Sequence, residues 1–189
     1  MSGLPHTLRE RAAATRLLIL DVDGVLTDGR LHYGPDGEQL KVFHVKDGLG
    51  LRLLMDEGVE VAVISARRAP ALERRLKELR VERAQLGRGD KLAALHELLG
   101  ELEVDASEVA FMGDDVLDLP VMRAVGLGIT PADGHPLVRA EADWVTLGEG
   151  GRGAVREVAD ALLDARGRLE GAVEDHLARR AGAKPSSGA

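Results

Sequence analysis

"LLILDVDGVLTDG", Leu17–Gly29, decides the fold. Four consecutive aliphatic residues run into Asp21, and a second carboxylate, Asp23, follows two positions later, ahead of Gly24 and Gly29. An apolar run without the alternation of a half-exposed strand fits a strand covered on both faces in a parallel sheet. Two acids at its carboxyl end have two readings: they share a cation and do chemistry, or they form an Asx-type turn.

The same pattern recurs along the chain. Short apolar runs at 60–65 ("EVAVIS"), 108–115 ("EVAFMGDD"), 126–130 ("GLGIT") and 143–147 ("DWVTL") alternate with helical patterns. Leu51, Leu54 and Met55 make one apolar helix face, closed by Gly58 as a C-cap signal. Leu92, Leu95, Leu98 and Leu99 make another, opened by Asp90 as N-cap, and Val155, Val158, Ala159, Leu162 and Leu163 a third. This rhythm predicts an α/β fold, a doubly wound and mostly parallel sheet. One piece departs from it: residues 29–45 alternate apolar and polar on both sides of the turn formers Pro35, Asp36 and Gly37, which predicts a β-hairpin. Residues 1–15 read as an N-terminal extension, 16–175 as a single domain, and 176–189 as a small, polar, disordered tail.

Composition narrows the function. A length of 189 residues suits one domain. The net charge of −7, with acids and bases mixed and no basic block, argues against nucleic acid or a membrane surface as partner. No cysteine is present, so disulfides and thiolate chemistry are unavailable. Nothing resembles a signal peptide or a membrane span, and a cytoplasmic protein is the expectation.

Ligands of open parallel sheets bind beyond the carboxyl ends of the strands. Asp21 and Asp23 end the first run, Ser65 ends the second, and "GDDVLD" follows the third with Asp114, Asp115 and Asp118; Lys91 opens a helix. So many carboxylates at one edge repel one another, which a hard cation with oxygen ligands relieves, and Mg²⁺ is the natural occupant. Beside it, Asp21 suits attack on phosphorus, Asp23 proton transfer two residues away, and Ser65 and Lys91 the charge of the phosphoryl oxygens. Each has an ordinary reading when taken alone: Ser65 caps a helix, Lys91 is a solvated helix lysine, and the "GDDVLD" acids cap the next helix. The order of all four carries the argument.

"DVDGVLTDG", then "VISAR", then Lys91, then "GDDVLD" resemble the four ordered motifs of the haloacid dehalogenase superfamily of phosphatases, over roughly residues 16–165. The resemblance implies that Asp21 is nucleophile and metal ligand, that Asp23 gives its main-chain carbonyl to the metal and its side chain as acid/base, and that Asp114 completes the metal site with Asp115 and Asp118 in support. It implies hydrolysis, because phosphatases of the superfamily carry Asp where ion-pumping relatives carry Thr. Asp21 to Ser65 spans only 44 positions and Lys91 to Asp114 only 23, too few for the cap domain of many relatives. Lids exclude water and choose substrates, so a neighbouring subunit is the expected cover.

Without a cap, and with the hairpin and "GGRGAVREV" (150–158), the chain is similar to the 3-deoxy-D-manno-octulosonate 8-phosphate phosphatase family of lipopolysaccharide precursor synthesis. That resemblance implies a homotetramer built on the hairpins and a phosphorylated eight-carbon sugar acid as substrate. It also implies binding by Asp23, by Phe43, His44, Val45, Lys46 and Asp47, and by Arg52, Arg67, Arg75 and Lys91. Two departures stand out: "SAR" replaces the usual "TGR", and His44 and Lys46 replace the usual Asn and Arg. His44 is either a binding residue or a plain hairpin residue. The alternatives are a phosphatase of nine-carbon nonulosonate 9-phosphates, a non-catalytic phosphoryl-accepting or binding module, and a phosphomutase.

Overall fold

The computed structural model describes residues 4–182. A short helix α1 (Arg9–Ala14) leads into β1 (Leu17–Leu20), all four of whose side chains are buried. Leu18 and Leu20 pack into one apolar cluster, Leu17 and Ile19 into another on the opposite face. Both faces are covered, so every position demands an apolar side chain and the run shows no alternation.

The chain continues through a hairpin of β2 (His32–Gly34) and β3 (Gly37–Leu40), then α2 (Val45–Asp56), β4 (Glu60–Ser65), α3 (Pro70–Leu79), β5 (Arg83–Leu86) and α4 (Lys91–Leu102). It ends with β6 (Val109–Met112), α5 (Leu119–Met122), β7 (Leu127–Thr130), α6 (Pro136–Glu141), β8 (Trp144–Val145), α7 (Ala154–Ala165) and α8 (Leu169–Arg180). Six strands form one parallel sheet in the order β5-β4-β1-β6-β7-β8, and β2 pairs antiparallel with β3. β4 and β6 divide their side chains as β1 does: Val61, Val63, Ala110 and Met112 face one cluster, Ala62, Ile64, Val109 and Phe111 the other. Residues of α2, α3 and α7 cover the first face and residues of α4, α5 and α6 the second.

From β1 the chain builds outward to β4 and β5, then returns to lay β6 on the other side of β1. The strand order therefore reverses at β1, and a crevice opens beyond the carboxyl ends of β4, β1 and β6. The segment from β1 to β4 holds only the hairpin and α2, with no cap. No helix among the described residues is long and apolar enough to cross a membrane.

The structure adds elements that the sequence pattern did not single out. β5 is an edge strand with exposed Arg83, so its "RAQL" lacks an apolar run. α3 buries only Leu72, Leu76 and Leu79 among charged neighbours. The predicted disordered tail needs correction at its start: residues 176–180 form the last turns of α8, where His176 and Arg179 reach Asp56 of α2 at 3.4 and 2.8 Å. Residues 183–189 of that tail lie outside the described residues. At the other end, residues of the predicted extension are docked, Arg9 on Asp164 at 2.8 Å and Arg11 on Asp143 at 2.7 Å.

Candidate active site

Asp21 follows β1 directly, with its N–H donating to the Met112 carbonyl at 2.9 Å, so its backbone is still held by the sheet. The chain then winds into a tight turn in which the Val22 carbonyl accepts from the N–H groups of Leu26 and Thr27 at 2.9 and 3.0 Å. Gly24 sits in this turn at φ +90°, and a Cβ there would lie 2.0 Å from Asp114 Oδ2. Backbone conformation and close approach both require glycine. The loop before α7 supports the turn from outside, backbone against backbone: the Gly151 N–H donates to the Val25 carbonyl at 2.9 Å, and a Cβ on Gly150 would lie 1.8 Å from the Gly24 carbonyl oxygen.

Lys91, the first residue of α4, is buried and lies 2.9 Å from Asp21 Oδ2 and 2.6 Å from Asp118 Oδ1. Burial works against its charge, but Asp21 and Asp118 outweigh it and raise its pKa above the usual value. The other oxygen of Asp118 accepts from the N–H groups of Asp114 and Asp115 at 3.0 and 3.2 Å, fastening the loop after β6. Asp115 is exposed, and its Oδ1 accepts from the Val116 N–H at 2.7 Å, a local cap. Ser65 ends β4 with its hydroxyl accepting from the Arg67 N–H at 3.2 Å.

Carboxylate oxygens of Asp21, Asp114 and Asp118 lie within 4.8 Å of one another. Burial, partly offset by Lys91, raises the Asp21 pKa from 3.8 to about 6; burial together with Asp21 and Asp118 raises that of Asp114 from 3.8 to about 7. Asp118 commits both oxygens to Lys91 and two backbone N–H groups, which leaves Asp21 and Asp114 as the pair fitted to a cation. Two carboxylates held close in a half-buried setting suit a hard divalent ion with oxygen ligands.

Asp23, on the outer side of the turn, meets the hairpin. Lys41 Nζ lies 2.5 Å from Asp23 Oδ1 and 2.7 Å from Glu38 Oε1. Arg67 lies 4.0 Å from Asp23 Oδ2 and donates to the Tyr33 hydroxyl at 3.2 Å. The sequence reading did not single out Tyr33, Glu38 or Lys41. Lys41 stands between Leu40 and Val42, which are 51 % and 56 % exposed while the lysine is buried. The polar member of the trio turns inward, the reverse of what a pattern reading assumes.

Asp21, Asp23, Ser65, Arg67, Lys91 and Asp114 line one cavity of about 300 Å³, with Asp115 and Asp118 at its wall. The remaining expected residues lie elsewhere. Val45, Arg52 and Arg75 line a separate depression of about 410 Å³ with His176 and Arg180. Phe43 lies under the Arg75 guanidinium, 6.0 Å from ring centroid to Cζ, and Lys46 is exposed. Asp47 is buried, and its Oδ1 accepts from the Arg156 N–H at 2.9 Å in the first turn of α7, so it caps that helix; His44 Nδ1 is 3.9 Å from its Oδ2. A larger depression of about 810 Å³ beside α7 is lined by charges already paired, Arg9 with Asp164 and Arg156 with Asp160.

Comparison with known proteins places the chain in a family. Residues 87–156 match the haloacid dehalogenase-like hydrolases. The 3-deoxy-D-manno-octulosonate 8-phosphate phosphatase of Yersinia pestis is 50 % identical over 163 residues, 86 % of this chain and 87 % of that protein. The Moraxella catarrhalis 3-deoxy-D-manno-octulosonate 8-phosphate phosphatase, solved with magnesium, phosphate and KDO, superposes with a TM-score of 0.87 at 37 % identity, covering 90 % of this chain and 98 % of that one. The cobalt-bound Haemophilus influenzae phosphatase superposes with a TM-score of 0.83 at 42 % identity, covering 84 % and 93 %. With half of its aligned residues shared across most of both chains, this chain belongs to the 3-deoxy-D-manno-octulosonate 8-phosphate phosphatase family of haloacid dehalogenase-like hydrolases.

Proposed function

We propose that the chain hydrolyses 3-deoxy-D-manno-octulosonate 8-phosphate to KDO and phosphate, through an aspartyl-phosphate on Asp21. The observation that carries this reading is the convergence of Asp21, Asp114, Asp118 and Lys91 at the strand-order reversal, in a chain half identical to such a phosphatase. Asp21, Asp114 and the main-chain carbonyl of Asp23 would hold Mg²⁺, which when bound offsets the repulsion between carboxylates and phosphoryl oxygens and polarises phosphorus.

The residues divide the work. An oxygen of Asp21 forms a bond to phosphorus as the ester P–O bond breaks, and the leaving alkoxide takes a proton from Asp23. Asp23 then accepts a proton from the water that attacks the acyl phosphate, and the Asp21 carboxylate is released. Lys91 and the Ser65 hydroxyl meet the charge of the phosphoryl oxygens, with Asp118 orienting the lysine. Arg67, beside Asp23, is placed for the substrate's anionic groups.

The cavity of about 300 Å³ holds none of the stretch 43–47, Arg52 or Arg75. Apart from Asp47, which is buried as the cap of α7, a role for them in sugar-acid binding needs a second copy of the chain, and we propose a homotetramer in the cytoplasm in which a neighbour covers each site. Tyr33, Leu40 and Val42, 64 %, 51 % and 56 % exposed on the hairpin, are the apolar surface for that assembly.

A turnover panel tests the reading. Phosphate is expected from 3-deoxy-D-manno-octulosonate 8-phosphate with Mg²⁺ and not with chelator, and Asp21→Asn is expected to release none. Near-normal turnover by that variant would remove the nucleophile, and preference for a nine-carbon nonulosonate 9-phosphate would replace the substrate.

A further inference from the structure

The hairpin does more than project from the domain, since its lysine, Lys41, reaches the turn that carries Asp23. Lys41 has a side chain only 1 % exposed, and its ammonium lies between Asp23 Oδ1 at 2.5 Å and Glu38 Oε1 at 2.7 Å. A buried ammonium is costly unless its partners are well placed. Glu38, three residues away on the same hairpin, already supplies one carboxylate to neutralise the ammonium, so the lysine's burial alone would not require Asp23 as a second. The two oxygens of Asp23 are treated differently. Oδ1 is held by the buried lysine, whereas Oδ2 faces Arg67, which is 43 % exposed and 4.0 Å away, and Asp23 lines the cavity.

We propose that Lys41, seated on Glu38, is a positioning residue for the reaction: it anchors Asp23 Oδ1 so that Oδ2 is presented to the leaving oxygen. The inference rests on the assignment of Asp23 as acid/base. Proton transfer requires hydrogen-bond reach to the reacting oxygen, and a misplacement of about 1 Å costs on the order of 10²-fold. An anchored side chain removes the rotamer search that a free aspartate would make at every turnover.

The test compares an alkyl and an aryl phosphate in single-turnover phosphorylation of the full-length protein. The alkyl ester, 3-deoxy-D-manno-octulosonate 8-phosphate, leaves as an alkoxide that needs a proton, whereas p-nitrophenyl phosphate leaves as a stable phenolate. Lys41→Met is expected to slow phosphorylation by the alkyl ester about 10- to 10²-fold and to leave the aryl ester within about twofold. Mg²⁺ affinity by calorimetry is expected to be unchanged, and Lys41→Arg, which keeps charge and donors, to recover part of the loss. Adding Lys41→Met to Asp23→Asn should cost little more, because both act through one group.

Equal slowing of the two esters by Lys41→Met with a fallen melting temperature would mean a purely structural lysine and would overturn the proposal. If Lys41→Met does not fold, Glu38→Gln loosens the seat while leaving the lysine on Asp23; a smaller slowing confined to the alkyl ester supports the proposal, and wild-type rates overturn it. Asp23→Asn separates the two readings. Normal alkyl-ester rates in that variant would remove the acid/base assignment itself, whereas a slowed Asp23→Asn beside a normal Lys41→Met would overturn the positioning role alone.

Discussion

Between about pH 4 and pH 7, burial favours protons on Asp21 and Asp114 in the folded chain that the unfolded chain gives up. Their pKa values rise from 3.8 to about 6 and about 7, chiefly by burial. A carboxyl group with a raised folded pKa makes stability fall as pH rises from the unfolded value through the folded one. The metal-free protein should therefore lose stability between about pH 4 and pH 7 from these two groups. A divalent cation replaces those protons, so the rise in melting temperature on adding Mg²⁺ should be larger at about pH 8 than at about pH 5. Equal rises by calorimetry would exclude Asp21 and Asp114 as the cation pair. Gly24 gives a sharper test of the same pair, because a methyl group there meets Asp114 Oδ2 and the backbone is at φ +90°. Gly24→Ala is expected to cost about 1–2 kcal/mol in urea unfolding from the left-handed backbone and to weaken Mg²⁺ binding in titration. Unchanged affinity would place the cation elsewhere. The acids of this site were legible because each ends an apolar strand; Lys41 was not, because it is a lysine flanked by exposed apolar residues and gives no pattern that points inward.

At the scale of elements, legibility follows burial. β1, β4 and β6 are covered on both faces and announce themselves as apolar runs. β5 at the edge and α3 with a single apolar strip do not, since half of each surface answers to water. α4 was readable down to its cap, with Asp90 Oδ1 accepting from the Ala93 N–H at 2.9 Å. Asp47 shows the opposite case. It lies in a stretch expected to meet substrate, yet it is buried against the start of α7, where it accepts from the Arg156 N–H. Asp47→Ala should destabilise the protein by about 1–2 kcal/mol in denaturant unfolding, the cost of a lost cap. A weakened substrate affinity with unaltered stability would instead mark the residue as a substrate contact.

For the whole molecule, the absence of a cap was readable from spacing alone, but the consequence for binding was not. Arg52 and Arg75 line a depression distinct from the cavity of Asp21 and Asp114, a separation that no sequence pattern discloses. If a second copy brings them to the site, breaking the assembly should impair binding more than chemistry. Replacing Leu40 and Val42 together by Glu on the exposed side of the hairpin is expected to give smaller species in sedimentation and a KM raised at least about tenfold, by loss of charge-assisted contacts. Single-turnover phosphorylation at saturating substrate should be much less affected. A variant that sediments as the parent does, or a smaller species with an unchanged KM, would count against the neighbour's contribution.

The backbone contact between the loop before α7 and the turn after β1 bears on how variants of this protein are sorted. Gly150 and Gly151 meet the turn through the main chain, the Gly151 N–H on the Val25 carbonyl and Gly150 so placed that an added Cβ would run into the Gly24 carbonyl. A screen that ranks substitutions by side-chain distance from the phosphate would pass Gly150→Ala as harmless. Its methyl group would press on the peptide that leads from Gly24 into Val25, in the turn that carries Asp23, so the harm would register as lost turnover from a position more than a hundred residues downstream.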